Sequence, residues 1–284
     1  ETGIEVLSDA AWDVLTQGGV DLDPETRRAR FDRGLITEAI SHAPAKFTLH
    51  ARNPARDLVV GGNHINFCTV SSAAYSSDLD RGRRRGTLDD FRDFIRLAHS
   101  LNTMHLIMGY PVEPQDIPPE SRHLDCYHAF ITLTDKVWRP YALSRDRLTD
   151  ALAMIGIVMG MSREELAERP ALFTNISTNS PLRLDSPMGD GIVEMARARQ
   201  PLCVAAFALA GAMAPITLAG TLVQQNAEVL AGLALAQMTS PGTPVVYGSF
   251  APNVDMRSGA PAFGTPEYVK TTLASGQLVR RYGL

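Results

Sequence analysis

The sequence predicts an α/β fold in which strands and helices alternate along the chain. Five apolar runs favour strands, and each is followed by a helical pattern; they cover residues 104–109, 137–143, 172–177, 202–209 and 244–247. Their first residues lie 33, 35, 30 and 42 positions apart, a spacing typical of strand–helix units. With 284 residues and 45% hydrophobic side chains, the chain is large enough to bury the core of one such domain.

Two folds have this spacing, a closed (β/α)8 barrel and a doubly wound open sheet, and the spacing alone does not distinguish them. Residues 65–70 and a helix predicted over residues 87–101 form an earlier unit. About six units are then present, whereas a closed barrel needs eight. The last residues, 280–284, continue a helical pattern, so we expect the native protein to extend further and close the barrel.

Residues 1–60 predict an N-terminal extension that packs on the barrel formed by residues 61–284. A helical pattern covers residues 4–15. Residues 46–52 alternate apolar and polar side chains, and together with residues 57–60 they predict a short antiparallel ribbon. We expect this extension to cap one end of the main domain.

Charge and cysteine content narrow the class of protein. The balance of 27 basic and 31 acidic residues gives a formal charge of -4, which offers no general attraction to nucleic acid or to an anionic membrane. Small molecules and proteins are therefore the expected partners. Cys68, Cys126 and Cys203 are odd in number and widely spaced, so they outline no disulfide framework and favour a reducing cytoplasm.

Residues 200–254 form an apolar tract in which Glu228 is the only Asp, Glu, Lys or Arg. Several prolines and glycines interrupt the tract, and amide side chains occupy its longest segment, so we expect burial within protein rather than a membrane span. The scarcity of charge also leaves room for an interface between identical subunits.

A polar stripe crosses the helix predicted in this tract. Pro215 suits the first position of a helix, because its missing N–H would have no helical partner there. Five polar side chains then follow at helical spacing: Thr217, Thr221, Gln224, Gln225 and Glu228. They are hydroxyls, amides and one acid, which predicts a buried or cavity-facing stripe whose members satisfy each other. A structural alternative for Glu228 is a contact with Arg257 or with a backbone amide.

Two other patterns, one of possible metal ligands and one of basic residues, are weaker evidence for a functional site. His123, Cys126 and His128 resemble a metal-ligand cluster, but on a helix His128 points about 200° away from Cys126, so the three do not converge. Residues 81–86 are strongly basic and predict a loop that is solvated or that meets an acidic surface.

Eight segments resemble, in the same order along the chain, the corrinoid-dependent trimethylamine methyltransferase family. They are ARNP at 51–54, GGN at 61–63, SPL at 180–182, GAMAPITLAG at 211–220, NAEVLAG at 226–232, SPGTPVVYG at 240–248, DMRSG at 255–259 and GTPE at 264–267. The resemblance covers most of the chain, and the ordered combination is more specific than any single segment.

This resemblance implies a (β/α)8 TIM-type barrel, here missing its C-terminal part. It also implies an enzyme that moves a methyl group from trimethylamine or a glycine betaine-like amine to the Co(I) of a separate corrinoid protein. The corrinoid (cobalamin) would be carried by that partner, with no metal bound directly by this chain. Some members use a genetically encoded pyrrolysine, and the resemblance places that residue in the part of the barrel that follows residue 284.

A methylammonium donor is well bound by aromatic faces and by a nearby carboxylate. Four aromatic residues lie at or just after the predicted strand ends, where barrel sites form, namely Tyr110, Tyr141, Tyr247 and Phe250. Asn179 and Gln224 are candidate hydrogen-bonding groups. Arg257 is a candidate for a substrate carboxylate, and Glu228 is the candidate catalytic residue, which would stabilise the cationic donor or orient Gln224 and Thr221.

The sequence leaves two other functions open. One is a protein that binds or senses a quaternary amine and has lost methyl transfer, which ligand-induced stabilisation without transfer would indicate. The other is a barrel enzyme acting on another small polar substrate, which a failure to bind any methylated amine would indicate.

Overall fold

The computed structural model describes residues 2–141 and 144–284 as a mixed α/β protein. These residues form two compact units. The first unit contains residues 2–45, 144–145 and 175–284, and the second contains Lys46–Tyr141 and Asp146–Thr174. The division into domains predicted at residue 60 remains a prediction.

The helices, in chain order, are α1 Asp9–Gln17, α2 Arg33–Ser41, α3 Leu88–Ser100, α4 Arg122–Leu133, α5 Arg145–Met159, α6 Arg163–Glu168, α7 Ser186–Arg197, α8 Leu218–Thr239 and α9 Pro266–Tyr282. The strands are β1 Ile4–Val6, β2 Asp21–Asp23, β3 Arg28–Arg30, β4 Lys46–Leu49, β5 Leu58–Gly61, β6 Tyr75–Asp78, β7 Gly82–Arg85, β8 Leu106–Ile107, β9 Val137–Trp138, β10 Thr174–Thr178, β11 Arg183–Leu184, β12 Leu202–Phe207, β13 Val245–Phe250, β14 Asn253–Val254 and β15 Pro261–Ala262.

The centre of the first unit is a three-stranded sheet in the order β10-β12-β13. Strands β12 and β13 are parallel and run in register from Leu202 opposite Val245 to Phe207 opposite Phe250. Helix α8 packs on both strands. Gly232 permits this approach, because a Cβ at that position would lie 2.8 Å from Cγ1 of Val204 in β12.

The N-terminal residues differ from the predicted continuous helix. Ile4–Val6 forms strand β1, which pairs with β3 and β11 in a four-stranded sheet, and helix α1 begins only at Asp9. Ser8 sets this boundary, because its hydroxyl accepts a hydrogen bond from the backbone N–H of Ala11 and caps the helix. The apolar residues of β1 are buried by pairing, which a helical count does not reveal.

The second unit contains the parallel pair β8 and β9 and the antiparallel ribbon β4–β5, which was predicted correctly. Its core joins α3, α4 and the residues around β8 and β9, with Phe91, Tyr110, Phe130 and Trp138 all buried. Helix α3 starts as predicted, and Thr87 and Asp90 form a capping box.

Three predicted elements in these units were wrong in type or in starting residue. The strand predicted at residues 65–70 reduces to one isolated bridge between Cys68 and Leu106. The basic loop at residues 81–86 is largely strand β7, paired with β6. Helix α8 begins at Leu218 rather than at Pro215, because the hydroxyl of Thr217 accepts from the N–H of Gly220 and caps the helix there.

The α/β class was predicted correctly, but the closed barrel is not observed. Over residues 2–141 and 144–284 the strands form several separate sheets, and none of these closes on itself. The strand predicted at residues 137–143 is strand only over Val137–Trp138, and its last two positions lie outside the described residues. No described helix combines the length and the apolarity that crossing a bilayer requires.

Candidate active site

Glu228 is fully buried on α8, and its carboxylate accepts four hydrogen bonds within the first unit. Oε2 accepts from the hydroxyls of Thr178 at 2.5 Å and Ser180 at 2.7 Å. Oε1 accepts from the backbone N–H of Leu182 at 2.8 Å and from Nε2 of Gln224 at 3.0 Å. All four donors are neutral, and together they satisfy a charge that would otherwise be costly to bury.

These contacts join α8 to the segment that follows β10, residues 178–182. The predicted polar stripe is confirmed as buried at Thr221, Gln225 and Glu228, whereas Gln224 is half-buried. A backbone amide is a partner of Glu228, as the structural alternative proposed. Glu228 contacts Gln224 directly, whereas the hydroxyl of Thr221 donates to the carbonyl of Pro215, and the catalytic role of Glu228 remains a prediction.

A second polar network involves Gln225 and Asn226, which directly follow Gln224 on α8. Gln225 donates to the hydroxyl of Ser275 in α9 at 2.8 Å and accepts from the hydroxyl of Ser249 in β13 at 3.0 Å. Tyr247 in β13 donates to Oδ1 of Asn226 at 3.1 Å. Burial raises the pKa of Tyr247 to about 12, so the phenol is neutral at ordinary pH.

Aromatic rings gather at the carboxyl ends of β12 and β13. Phe207 and Phe250 occupy paired positions, and their rings stack with centroids 4.8 Å apart and an interplanar angle of 11°. Phe263 meets Phe250 edge to face at 5.7 Å. We call Phe207, Phe250 and Phe263 the aromatic cluster. The last residues of strands form binding sites in many α/β proteins, and aromatic faces attract cations.

The other two candidates in the first unit occupy exposed turns. Asn179 braces the turn after β10, because it donates to the carboxylate of Asp185 at 3.2 Å and accepts from that residue's N–H at 3.1 Å. Arg257 is exposed in the turn between β14 and β15, and its backbone N–H donates to Asp255. Their predicted roles in substrate binding remain predictions.

Tyr110 and Tyr141 lie together in the second unit, after β8 and β9. Both are buried, and their rings meet edge to face at 4.3 Å. The hydroxyl of Tyr141 shares a hydrogen bond with that of Ser72. Burial raises the pKa of both phenols, which keeps them neutral.

Sequence reasoning missed several contacts and residues at these places. Thr178 and Ser180 contact Glu228 from 50 and 48 positions away, so no local pattern revealed the pairing. Phe207 had a usable signal, since it lies within the predicted strand at residues 202–209. Arg139 lies within the predicted strand at residues 137–143, and it is buried with its guanidinium carbon 5.1 Å from the ring centroid of Tyr141.

The cluster in α4 has the helical geometry that was predicted. His123 and Cys126 are buried and His128 is exposed, and Nε2 of His123 is hydrogen-bonded to the carboxylate of Asp150 at 2.8 Å. In residues 2–141 and 144–284 no group of three or more His, Cys, Asp or Glu side chains is arranged to hold a metal ion.

The fold and these residues define an α/β protein with polar and aromatic side chains at the carboxyl ends of parallel strands. Residues 1–284 match the family model for trimethylamine methyltransferase (MTTB). The chain belongs to this family, as the eight sequence segments indicated.

Three relatives illustrate the match. The chain is 39% identical to a glycine betaine methyltransferase of Desulfitobacterium hafniense (strain Y51), over 100% of this chain and 59% of the relative. It is 31% identical to a trimethylamine methyltransferase MttB of D. hafniense (strain DSM 10664 / DCB-2), over 100% of this chain and 57% of the relative. It is 27% identical to MttB of Methanosarcina thermophila, over 99% and 59%. The chain therefore spans less than two thirds of each relative.

Proposed function

We propose that the protein is a methyltransferase that moves a methyl group from a tertiary or quaternary amine to the cobalt of a corrinoid carried by a separate protein. The observation that carries this proposal is the 39% identity, over the whole of this chain, to a relative named glycine betaine methyltransferase. A glycine betaine-like donor is accordingly the first substrate to test, and trimethylamine is the second.

The chemistry suits a site without a protein nucleophile. Reduced corrinoid cobalt supplies the nucleophile, and it reaches the chain as a group on the partner protein. The chain must then hold the donor in line with the acceptor and exclude water. A quaternary amine leaves as a neutral tertiary amine, so its departure requires no proton donor.

On this proposal Glu228 is a positioning residue rather than a group that reacts. Its two oxygens fix residues 178–182 and the amide of Gln224, whose Nε2 donates both to Glu228 and to the carbonyl of Met213 at 2.9 Å. The aromatic cluster would offer its ring faces to the methylated nitrogen. In the native protein the strands would close as a (β/α)8 barrel, with these residues at its carboxyl face.

On this proposal the protein acts in the cytoplasm with a corrinoid protein as its partner, and the apolar tract is available for contact between subunits.

To test the proposal, the native protein is mixed with reduced cobalamin or a corrinoid protein, and the visible spectrum of the methylated product is followed. Glycine betaine, carnitine, choline, proline betaine and trimethylamine are compared as donors.

Methylation by one donor would support the proposal and identify the substrate. Thermal stabilisation by a donor that transfers no methyl group would favour a binding or sensing protein instead. If no donor reacts and none raises the melting temperature, the amine site itself is wrong.

A further inference from the structure

Arg139 occupies a position in the second unit where parallel strands end. It follows β9 directly, and its backbone N–H donates to the carbonyl of Ile107 in β8 at 3.0 Å, so it continues the pairing of the two strands. The carboxyl ends of parallel strands are where α/β proteins most often bind small molecules. An arginine there is well placed to meet a ligand.

The backbone beside Arg139 leaves room for its side chain. Gly109 follows β8 with φ +67°, and a Cβ at this position would lie 3.2 Å from Cζ, Nε and Nη2 of Arg139. Any other residue would both strain the backbone and press on the guanidinium. Gly109 therefore leaves the space that the guanidinium of Arg139 occupies.

An aromatic surface orients the guanidinium. Its carbon lies 5.1 Å from the ring centroid of Tyr141, which meets Tyr110 edge to face at 4.3 Å. The hydrogen bond between Tyr141 and Ser72 fixes that ring in turn. A planar guanidinium beside an aromatic ring keeps its fork of N–H donors in a defined orientation, which a lysine ammonium does not do.

The side chain of Arg139 is largely buried, as are the two tyrosines of this region. Arg139 is only 8% exposed, Tyr141 is 9% exposed and Tyr110 is 2% exposed. The carboxylate of Glu113, whose charge also acts on Tyr141, is held by Arg122 at 2.6 Å. In such surroundings an ionic hydrogen bond to a ligand is stronger than in water.

We propose that Arg139 binds the carboxylate of a zwitterionic methyl donor, so that the enzyme selects betaines over methylated amines that lack an acid group. This inference rests on the proposed function and specifies its substrate class. The ring of Tyr141 lies beside the arginine and would hold its guanidinium in place for this contact. Arg257, the residue suggested by the sequence for this carboxylate, lies in an exposed turn.

The test compares glycine betaine with choline, which replaces the carboxylate by a hydroxymethyl group and keeps the trimethylammonium. Dissociation constants are measured by calorimetry on the native protein without corrinoid, so binding is scored separately from methyl transfer. We expect native protein to prefer glycine betaine and Arg139→Gln to weaken glycine betaine binding by about 10- to 100-fold, with little change for choline.

Arg139→Lys provides the second variant, because it keeps the charge and loses the planar fork. It should fold even where Arg139→Gln does not, and it should reduce the preference for glycine betaine in part. Arg96→Gln, at an exposed position on α3 whose partner is Asp93, is the matched control and should change neither constant.

A native protein that binds choline as tightly as glycine betaine would overturn the inference, and so would a preference that persists in both Arg139 variants. Methyl transfer from choline by that same protein would leave the proposed function intact. Conversely, selective carboxylate binding that depends on Arg139, without methyl transfer from any donor, would remove the proposed function and leave the carboxylate site in place.

Discussion

Gln224 and Glu228 are linked by a hydrogen bond of 3.0 Å across one turn of helix α8, and the same carboxylate oxygen accepts from the backbone N–H of Leu182 at 2.8 Å. The acid therefore connects a helix to a turn that follows a strand. Because its other oxygen accepts from Thr178 and Ser180, any change in its hydrogen-bonding capacity affects both elements at once.

Replacing Glu228 by Gln should destabilise the protein even though the side-chain shape is kept. One oxygen becomes an NH2 group, which faces donors and accepts nothing, so at least one buried donor loses its partner. We expect a loss of about 1–3 kcal/mol in the free energy of unfolding. Urea denaturation, followed by circular dichroism, measures it.

The matched control is Glu25→Gln, which makes the same chemical change at an exposed position in the first unit. It should leave the unfolding midpoint unchanged. Equal stability of Glu228→Gln and the parent protein would mean that the four hydrogen bonds contribute nothing, and the positioning role would then be abandoned.

Alanine substitutions at two helical glycines, one in a packed position and one in an open position, test the packing of α8. Gly232→Ala would bring a methyl group within 2.8 Å of the buried Val204, whose branched side chain has little freedom to move. We expect a net loss of about 1–3 kcal/mol. Gly276→Ala in α9 meets nothing within 4 Å and should stabilise the protein by up to about 1 kcal/mol.

Thermal unfolding of both variants gives the comparison. The packing of α8 on β12 would be contradicted if Gly232→Ala were as stable as Gly276→Ala, because both substitutions carry the same gain in helix propensity.

Local patterns predicted the parts of this fold that depend on local interactions. The polar stripe at helical spacing located the buried face of α8 at Thr221, Gln225 and Glu228, and alternation located the ribbon β4–β5. The starts of α1 and α8 were harder to predict, because each is set by one capping hydroxyl, on Ser8 for α1 and on Thr217 for α8. The spacing of apolar residues suggested an earlier start for α1, and Pro215 suggested an earlier start for α8.

The long-range features of the site could not be predicted in this way. Nothing near Glu228 in sequence indicates that Thr178 and Ser180 will meet it, because the pairing depends on how β10 and α8 are placed in three dimensions. The stacking of Phe207 on Phe250 likewise depends on the register of β12 with β13. The resemblance to a family indicates which function to propose more directly than any of these contacts.

The stability of the protein should fall above about pH 10. Folding raises the pKa of Tyr247 from 10.0 to about 12, mainly through burial, so the native state holds this proton more tightly than the unfolded chain does. The stabilisation is therefore complete below pH 10 and is lost between about pH 10 and 12, at a cost of about 2–3 kcal/mol.

Tyr247→Phe should reduce this alkaline loss, because it removes the titrating group, while the half-exposed Tyr75→Phe should not. Urea midpoints of the three proteins at pH 8, 10 and 11 measure the difference. If the midpoint of Tyr247→Phe falls as steeply as that of the parent, burial of this phenol does not govern the pH dependence.

The aromatic cluster should recognise the charge of a methylammonium group and not only its shape. A sharp probe is 3,3-dimethylbutanoate, which replaces the nitrogen of glycine betaine by carbon and removes the positive charge. We expect the native protein to bind glycine betaine more tightly than this isostere, and Phe250→Leu to reduce that difference by about 2- to 30-fold. Leu273→Ala, at an exposed position on α9, is the control.

Competition experiments with both ligands give the two affinities. An unchanged preference for glycine betaine over its carbon isostere in Phe250→Leu would exclude Phe250 from contact with the methylammonium.

The most direct test of the account supplies the native protein and a reduced corrinoid protein with glycine betaine labelled with ¹³C in its methyl groups. We expect one labelled methyl group on the corrinoid for each molecule of dimethylglycine released, as measured by mass spectrometry of both products. Consumption of glycine betaine without label on the corrinoid, or turnover that needs no corrinoid, would contradict it.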